Sequence, residues 1–275
     1  VREKLSLAAR GGAMVQPWAR KKNPRPRKLP VSLKYSFTAE YLPSGNLFLA
    51  IEKPELYRIK INGQEVSPDM DCGWWVDRSL KTLPIDPAIL RPGSNQLLLE
   101  CDYDENHPGL EVVYLLGNFG VRVENNQLLL CQPPETLKTG DWTEQGLYFY
   151  AGSVSYFATF KPSLDTGQRL FLHLPDYRGV AARVFVDGQL AGVVAWPPNE
   201  IEITALVAGK NEVTLTVEIV GHRRNSHGPF HLKEKWPAWT GPAQFVPEKD
   251  NWYDGYQVVP CGLLAPLEVI IRQPQ

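Results

Sequence analysis

The chain has 275 residues, with 29 Lys or Arg against 30 Asp or Glu and a net charge of −1. That length suits one large or two small domains, each with a core of its own, and near-neutrality excludes a uniformly basic, nucleic-acid-binding surface. No apolar run of about 18 residues is available to cross a membrane, so no membrane partner is expected, and the opening residues lack the apolar segment of a secretory leader.

Residues 1–30 carry nine Lys or Arg against the single Glu3, so the rest of the chain holds the acidic excess. The segment VREKLSLAARGGAMVQPWARKKNPRPRKLP reads as a short helix, a Gly-Gly break and a basic, Pro-rich extended arm, with Trp18 available to pack onto the body. Such an arm suits contact with phosphates or anionic polysaccharide; a solvated tether to something upstream is the plainer reading.

From Val31 onward, β-branched and aromatic runs alternate and are broken by turn residues every eight to twelve positions, the pattern of an all-β sandwich. VSLKYSFTAEY, LFLAIE, YRIKING, NQLLLECDY, VSYFATF, RLFLHL, ARVFVDG, EIEIT and NEVTLTVEIV are the predicted strands. Helical periodicity is nearly absent. Cys72, Cys101, Cys131 and Cys261 form no CxxC pair, which excludes a zinc knuckle or a thioredoxin-type motif and leaves reduced thiols.

The strands are organised by an internal repeat. LFLAIEKPELYRIKINGQEV leads to LPIDPAILRPGSNQLLLECDY, and LFLHLPDYRGVAARVFVDGQLAG leads to IEITALVAGKNEVTLTVEIVG. Each copy has a strand ending in Asn62-Gly63 or Asp187-Gly188, residues that accept left-handed backbone angles in a tight hairpin. A variable loop follows, and a Gly-x-Asn turn launches a long apolar strand. The expected organisation is the arm (1–30), a first sandwich (31–135) and a second (136–275) with a long C-terminal excursion.

At these residues the chain resembles the sugar-binding jelly rolls of glycoside hydrolase family 2, of the galactose-binding-domain-like class. Arg58 to Val66 and Ala182 to Leu190 match the hairpin of such domains, and Leu90 to Cys101 and Leu206 to Val217 the LxxGxNxL strand. LEVVYLLGNFGV (110–121), GDWTEQGLYFYAGSVSY (140–156) and GHRRNSHGPFH (221–231) resemble the C-terminal accessory region of large bacterial glycosidases, including rhamnosidase-like enzymes. The resemblance covers about 245 residues. It implies two tandem jelly rolls, an oligo- or polysaccharide ligand and a partner catalytic domain in a larger chain, extracellular or periplasmic if that parent is secreted. The catalytic (β/α)8 barrel of those enzymes has no counterpart, since strands do not alternate with helices here. Glycoside hydrolysis needs two carboxyl groups about 5 to 10 Å apart. Asp69, Asp71, Asp77, Asp102, Asp104 and Glu105 are of the right type but read as turn formers, so no catalytic residue is expected.

Sugar binding requires an aromatic face for the C–H patch of a pyranose with polar groups beside it for the hydroxyls. Trp74 and Trp75, flanked by Asp77 and Arg78, lie in the longer loop of the first repeat, and one is expected to face solvent while its neighbour plugs the core. Trp196, with Asn199 and Glu200, occupies the corresponding loop of the second. Trp236, Trp239 and Trp252 lie in the excursion, which reads as a groove wall, a self-packed cover or a docking surface for a catalytic domain.

The excursion opens with GHRRNSHGPFH. His227 and His231 are spaced i,i+4, as zinc ligands on one helical face would be, but Gly228 and Pro229 between them break that helix. Hydrogen-bonded loop histidines are the expected reading. A metal site of His222, His227 and His231, or a sugar or domain contact through Arg223, Arg224 and Asn225, is the alternative. DYDENHPG (102–109) has the oxygen density of a structural calcium site and suits an ordinary acidic turn equally; no cofactor is expected. The chain is therefore read as a non-catalytic carbohydrate-binding accessory module, with a domain-bracing module or a stand-alone glycosidase as the alternatives.

Overall fold

The structure is a computed structural model that describes residues 1–7 and 21–273; the Gly-Gly break and Trp18 lie outside them. It is an all-β protein whose chain forms two compact units, Val1–Pro133 with Pro237–Asp254, and Pro134–Trp236 with Gly255–Gln275. The expected second sandwich claimed all of 136–275, whereas Pro237–Asp254 groups with the first unit. That stretch contributes no strand, only helical turns at Pro242–Phe245 and Lys249–Asn251, so no ladder ties it to the second unit's sheets. Among the described residues no helix is long and apolar enough to cross a membrane.

The first unit contains β1 (Leu29–Ala39), β2 (Leu47–Glu52), β3 (Arg58–Ile61), β4 (Gln64–Val66), β5 (Trp74–Trp75), β6 (Asp77–Ile85), β7 (Gly93–Tyr103), β8 (Tyr114–Leu116), β9 (Gly120–Glu124) and β10 (Gln127–Cys131). They form a sheet ordered β4-β3-β7-β1-β10-β9 and another ordered β5-β6-β2-β8. Leu49, Ile51 and Leu83 of one sheet and Ile59, Ile61, Leu97 and Leu99 of the other merge into one buried cluster. Burying each such side chain stabilises the fold by roughly 1.5–3 kcal/mol.

The second unit contains β11 (Ser153–Phe160), β12 (Arg169–His173), β13 (Tyr177–Arg178), β14 (Ala181–Val186), β15 (Gln189–Val194), β16 (Glu200–Glu202), β17 (Val213–Val220), β18 (Gly262–Leu263) and β19 (Glu268–Arg272). Its sheets are ordered β15-β14-β17-β11, β16-β12-β19 and β13-β18. Alternate residues Val213, Leu215, Val217 and Ile219 of β17 meet Leu170 and Leu172 of β12 and the fully buried Trp142 in one core. The order hairpin strand, hairpin partner, long strand, opening strand is the same in this unit (β15-β14-β17-β11) as in the first (β4-β3-β7-β1).

Both tight hairpins have left-handed angles at both central residues, φ 50° and 85° at Asn62-Gly63 and 49° and 79° at Asp187-Gly188, as the twist of the flanking strands requires. Each acidic or amide residue also brackets one residue of the long strand. The Asn62 backbone N–H donates to Gln96 O at 2.9 Å, and its Oδ1 accepts from Gln96 N at 3.0 Å. Asp187 does the same with Thr214, both contacts at 2.8 Å. Since Ile61 pairs with Leu97 and Val186 with Leu215, the Gly-x-Asn turns of the two repeats are offset by two residues relative to the hairpins. Val213, not Asn211, stands where Asn95 stands in the first unit.

Candidate functional site

In the first unit the connection from β4 to β6 is built from turns whose carboxylates are spent locally. Asp71 accepts from Gly73 N at 2.9 Å and pairs with Lys81 at 2.9 Å; Asp77 accepts from Ser79 N at 2.8 Å. Both carboxyls are thereby held below the ordinary range, Asp71 chiefly by Lys81 and Asp77 by the Ser79 backbone. Between them lies the two-residue edge strand β5. Trp74 is 55% exposed, while Trp75 is half-buried against Tyr114 of β8, ring centroids 4.9 Å apart. Arg78 is exposed beside them.

The same surface carries residues that sequence reasoning passed over. Glu52 lies on the face of β2 that its register gives to Ala50 and Tyr114, and it accepts from Ser79 Oγ at 3.3 Å. Burial lifts its carboxyl above the ordinary range, and the carboxylates of Glu111 and Asp77 add to the rise. Tyr114 is pushed up to about 12, by burial first and then by Glu52 and Glu111. The half-buried Trp75–Tyr114 pair and the partly desolvated Glu52 thus share one face of the sheet, a combination able to take a C–H face and bind hydroxyls, while Trp74 pairs with Lys81 and lies on the other side of the edge strand. Glu52 and Glu111 escaped notice because each occupies a position where a strand or loop ordinarily shows a solvated acid.

In the second unit the connection from β15 to β16 is shorter. Trp196 is 78% exposed. The turn below it is closed by Asn199 N donating to Trp196 O at 3.3 Å, with Asn199 itself at φ 59°. Glu200 pairs with Arg272 at 2.6 Å, so its carboxylate is engaged. Of the excursion tryptophans, Trp236 is 58% and Trp239 76% exposed; Trp252 donates through Nε1 to Asp254 at 2.7 Å.

The histidines of GHRRNSHGPFH take separate roles. A single helical turn, Arg224–His227, ends at Gly228, and His227 Nδ1 lies 2.7 Å from Ser226 Oγ. His231 packs on Tyr256, ring centroids 5.3 Å apart, within a group that also joins Phe149 and Phe230. Both ring nitrogens of His222 are buried with no partner. No cluster of three or more His, Cys, Asp or Glu able to hold a metal occurs among the described residues. The fully buried residue is Asn225, which exchanges two hydrogen bonds with Val259, Nδ2 to O at 2.7 Å and N to Oδ1 at 2.9 Å. Next to it, all three nitrogens of Arg224 are buried without an acceptor, and burial lowers its pKa.

In DYDENHPG the oxygens are largely used in turns and in fastening the arm. Asp104 accepts from Asn106 N at 2.7 Å, Asn106 and Asn23 exchange two hydrogen bonds at 2.9 and 3.0 Å, and Glu105 accepts from Asn23 Nδ2. All four cysteines are free thiols, and burial pushes Cys261 up to about 11.

No protein-family model matches the chain. No curated protein matches it either. Among solved structures, a rhamnosidase from Novosphingobium sp. PP1Y is similar at 16% identity and a TM-score of 0.35, over 79% of this chain and 21% of that one. An anti-sigma factor domain-containing protein is similar at 12% identity and a TM-score of 0.20, over 71% of this chain and 76% of that one. The chain thus spans about a fifth of the rhamnosidase's length.

Proposed function

We propose that the chain is a duplicated pair of β-sandwiches serving as the carbohydrate-binding accessory part of a larger glycoside hydrolase. The observation that carries this reading is the position of Trp74 and Trp196: each is a strongly exposed indole in the connection that leaves the hairpin of its own unit. An exposed indole with amide or carboxyl neighbours is suited to the C–H face and hydroxyls of a pyranose. In the first unit Glu52, Asp77, Arg78 and Glu111 supply the polar partners; in the second, Asn199 does.

Affinity electrophoresis of the chain through gels containing plant or host polysaccharides tests this. Retention should be saturable and should weaken on Trp74→Ala or Trp196→Ala by roughly fivefold per platform, the equivalent of about 1 kcal/mol. Absence of retention on every polysaccharide would favour a bracing module, the reading that the exposed Trp236 and Trp239 of the excursion support. Release of aryl aglycone by the chain would instead make it an enzyme.

A further inference from the structure

The shared strand order lets the opening strands of the two units, β1 and β11, be matched residue by residue. Leu97 pairs with Ile61 on one side and Tyr35 on the other, and Leu215 pairs with Val186 and Ala158 in the same way. Lys34 of β1 therefore corresponds to Phe157 of β11. In the first unit the sheet continues past β1 to β10, which joins at Thr38 and Ala39. In the second unit Lys161 and Pro162 fall at those two positions, and among the described residues the sheet stops at β11. Proline has no N–H to offer a ladder.

Two bonds fix which way the backbone groups of β11 point. Asp187 N donates to Thr214 O at 2.8 Å on the hairpin side of β17, and Gly221 N donates to Gly152 O at 2.9 Å on the β11 side. Backbone groups alternate sides along an antiparallel strand, so Val154, Tyr156, Ala158 and Phe160 bond to β17, while Ser155, Phe157 and Thr159 point their N–H and C=O groups away from it. All three are exposed, Phe157 to 73%, and no strand among the described residues pairs with them. At the near end, the carbonyl of Ser153 is capped by Tyr150 Oη at 3.1 Å.

Sheet edges are ordinarily guarded by lysine, proline or a bulge, and Lys34 is such a guard in the first unit. From Ser153 to Phe160, β11 has no charge and no proline, and its register with β17 is unbroken. Where the guard should stand it has an exposed phenyl ring.

We propose that β11 is a dimerisation edge, pairing antiparallel with β11 of a second copy about a two-fold axis at Phe157. The strand is complementary to itself in that register. Phe157 meets its own counterpart as an aromatic cross-strand pair, Ser155 meets Thr159, and Lys161 meets the neutral Ser153. On the inner face Val154 meets Phe160. The outward backbone groups would accept any strand; it is the agreement of side chains on both faces that assigns the edge to a second copy. One shared edge is a small interface, so the dimer is weak and reversible. The inference is independent of what the tryptophans bind.

Sedimentation equilibrium of the full chain from about 10 μM to about 1 mM, with amide hydrogen exchange read residue by residue at both ends of that range, tests it. A monomer–dimer equilibrium is expected. The amides of Ser155, Phe157 and Thr159 should be unprotected in dilute solution and protected in concentrated solution, while those of Val154, Tyr156, Ala158 and Phe160 are protected in both. Phe157→Lys, which writes the first unit's guard into the second, sets two ammonium groups opposite each other and should weaken the dimer roughly tenfold or more. Ser155→Pro removes an outward N–H without touching the β11–β17 ladder and should weaken it too; an unchanged near-ultraviolet circular dichroism spectrum shows that each variant is folded. A chain that stays monomeric to about 1 mM, a dimer indifferent to Phe157→Lys, or protection that does not alternate along β11 would each overturn the proposal. The first of these outcomes would leave the edge to a strand of a different protein.

Discussion

At the tight hairpin of the first unit Asn62 is clamped by Asn95, an amide only 1% exposed; at that of the second, Asp187 is clamped by the exposed ammonium of Lys210 at 2.8 Å. Asn95 is satisfied on every side. Its Nδ2 donates to Arg91 O and Gly93 O at 2.7 and 2.9 Å, and its Oδ1 accepts from Asn62 Nδ2 and Arg91 N at 2.7 and 3.0 Å. Val213, at the matching register position of the second unit, buries an apolar side chain and leaves the fastening to the surface. The same topology thus tolerates either solution. A buried amide must be completely matched, since an unmatched one costs about 1–3 kcal/mol per group; a surface ion pair contributes little but requires no such matching.

The two clamps can be pulled apart by substitution. Asn95→Val, which writes the second unit's residue into the first, takes the partner from one hydrogen of Asn62 Nδ2, whose other bond runs to Ile89 O at 2.8 Å, and from Arg91 N and two carbonyls. It should cost the first unit about 3 kcal/mol, read from native-state hydrogen exchange of β3 and β7, with β14 and β17 unchanged; a loss under about 1 kcal/mol would mean that the buried amide is no more important than its surface counterpart. The second unit's own buried polar group gives an intermediate effect. Arg224 is a desolvated cation with no counterion among the described residues, so Arg224→Met should leave that unit unchanged or more stable by about 1 kcal/mol. A loss of more than about 2 kcal/mol in thermal or urea unfolding would show that the guanidinium is partnered.

The smallest expected effect is electrostatic. Asp187 is held below its ordinary pKa by Lys210 and the Thr214 N–H, and Glu202 is held down to about 2 by Arg169 and Thr204. Depressed carboxyls lend stability above their unfolded pKa and lose it as pH falls through the folded value. The second unit should therefore weaken between about pH 4 and pH 2. The Asn62–Asn95 clamp does not titrate, and in the first unit Glu52, whose carboxyl is raised, partly opposes the depressed Asp71 and Asp77 by favouring the fold at low pH. Acid unfolding followed unit by unit checks this order, and Asp187→Asn, which keeps an acceptor for Thr214 N–H but loses the ion pair with Lys210, should flatten the second unit's pH dependence by slightly lowering its stability at neutral pH while leaving that below about pH 2 in place.

The hairpins were legible in the sequence because only a few residues accept two successive left-handed conformations, and Asn-Gly and Asp-Gly are among them. Strand alternation gave the class of fold for a similar reason: a half-buried strand leaves a period of two in any sequence. The Gly-x-Asn repeat was misleading at the level of single residues, because two extra positions in the second unit shift its turn without disturbing the strand. The hairpin of β9 and β10, turned at Asn125 and Asn126 with φ 50° and 62°, carried the Asn signal but lacked Gly. Side-chain environment was the hidden part. Nothing local distinguishes Trp74 from Trp75, and the burial of His107 depends not only on nearby Tyr103 but on Tyr57, far away in sequence.

Asn225 has one more implication. Its two hydrogen bonds with Val259, together with Gln257 N to Phe230 O at 2.7 Å and Gln257 Nε2 to Lys233 O at 3.0 Å, cinch the two ends of the excursion like a drawstring. Closing a loop costs free energy only logarithmically in its length. With the neck tied at the second unit, a change in the length of the stretch beyond it adds little closure cost there, which makes its exposed residues, Trp236 and Trp239 among them, the natural place for evolution, or an engineer, to install a new recognition surface.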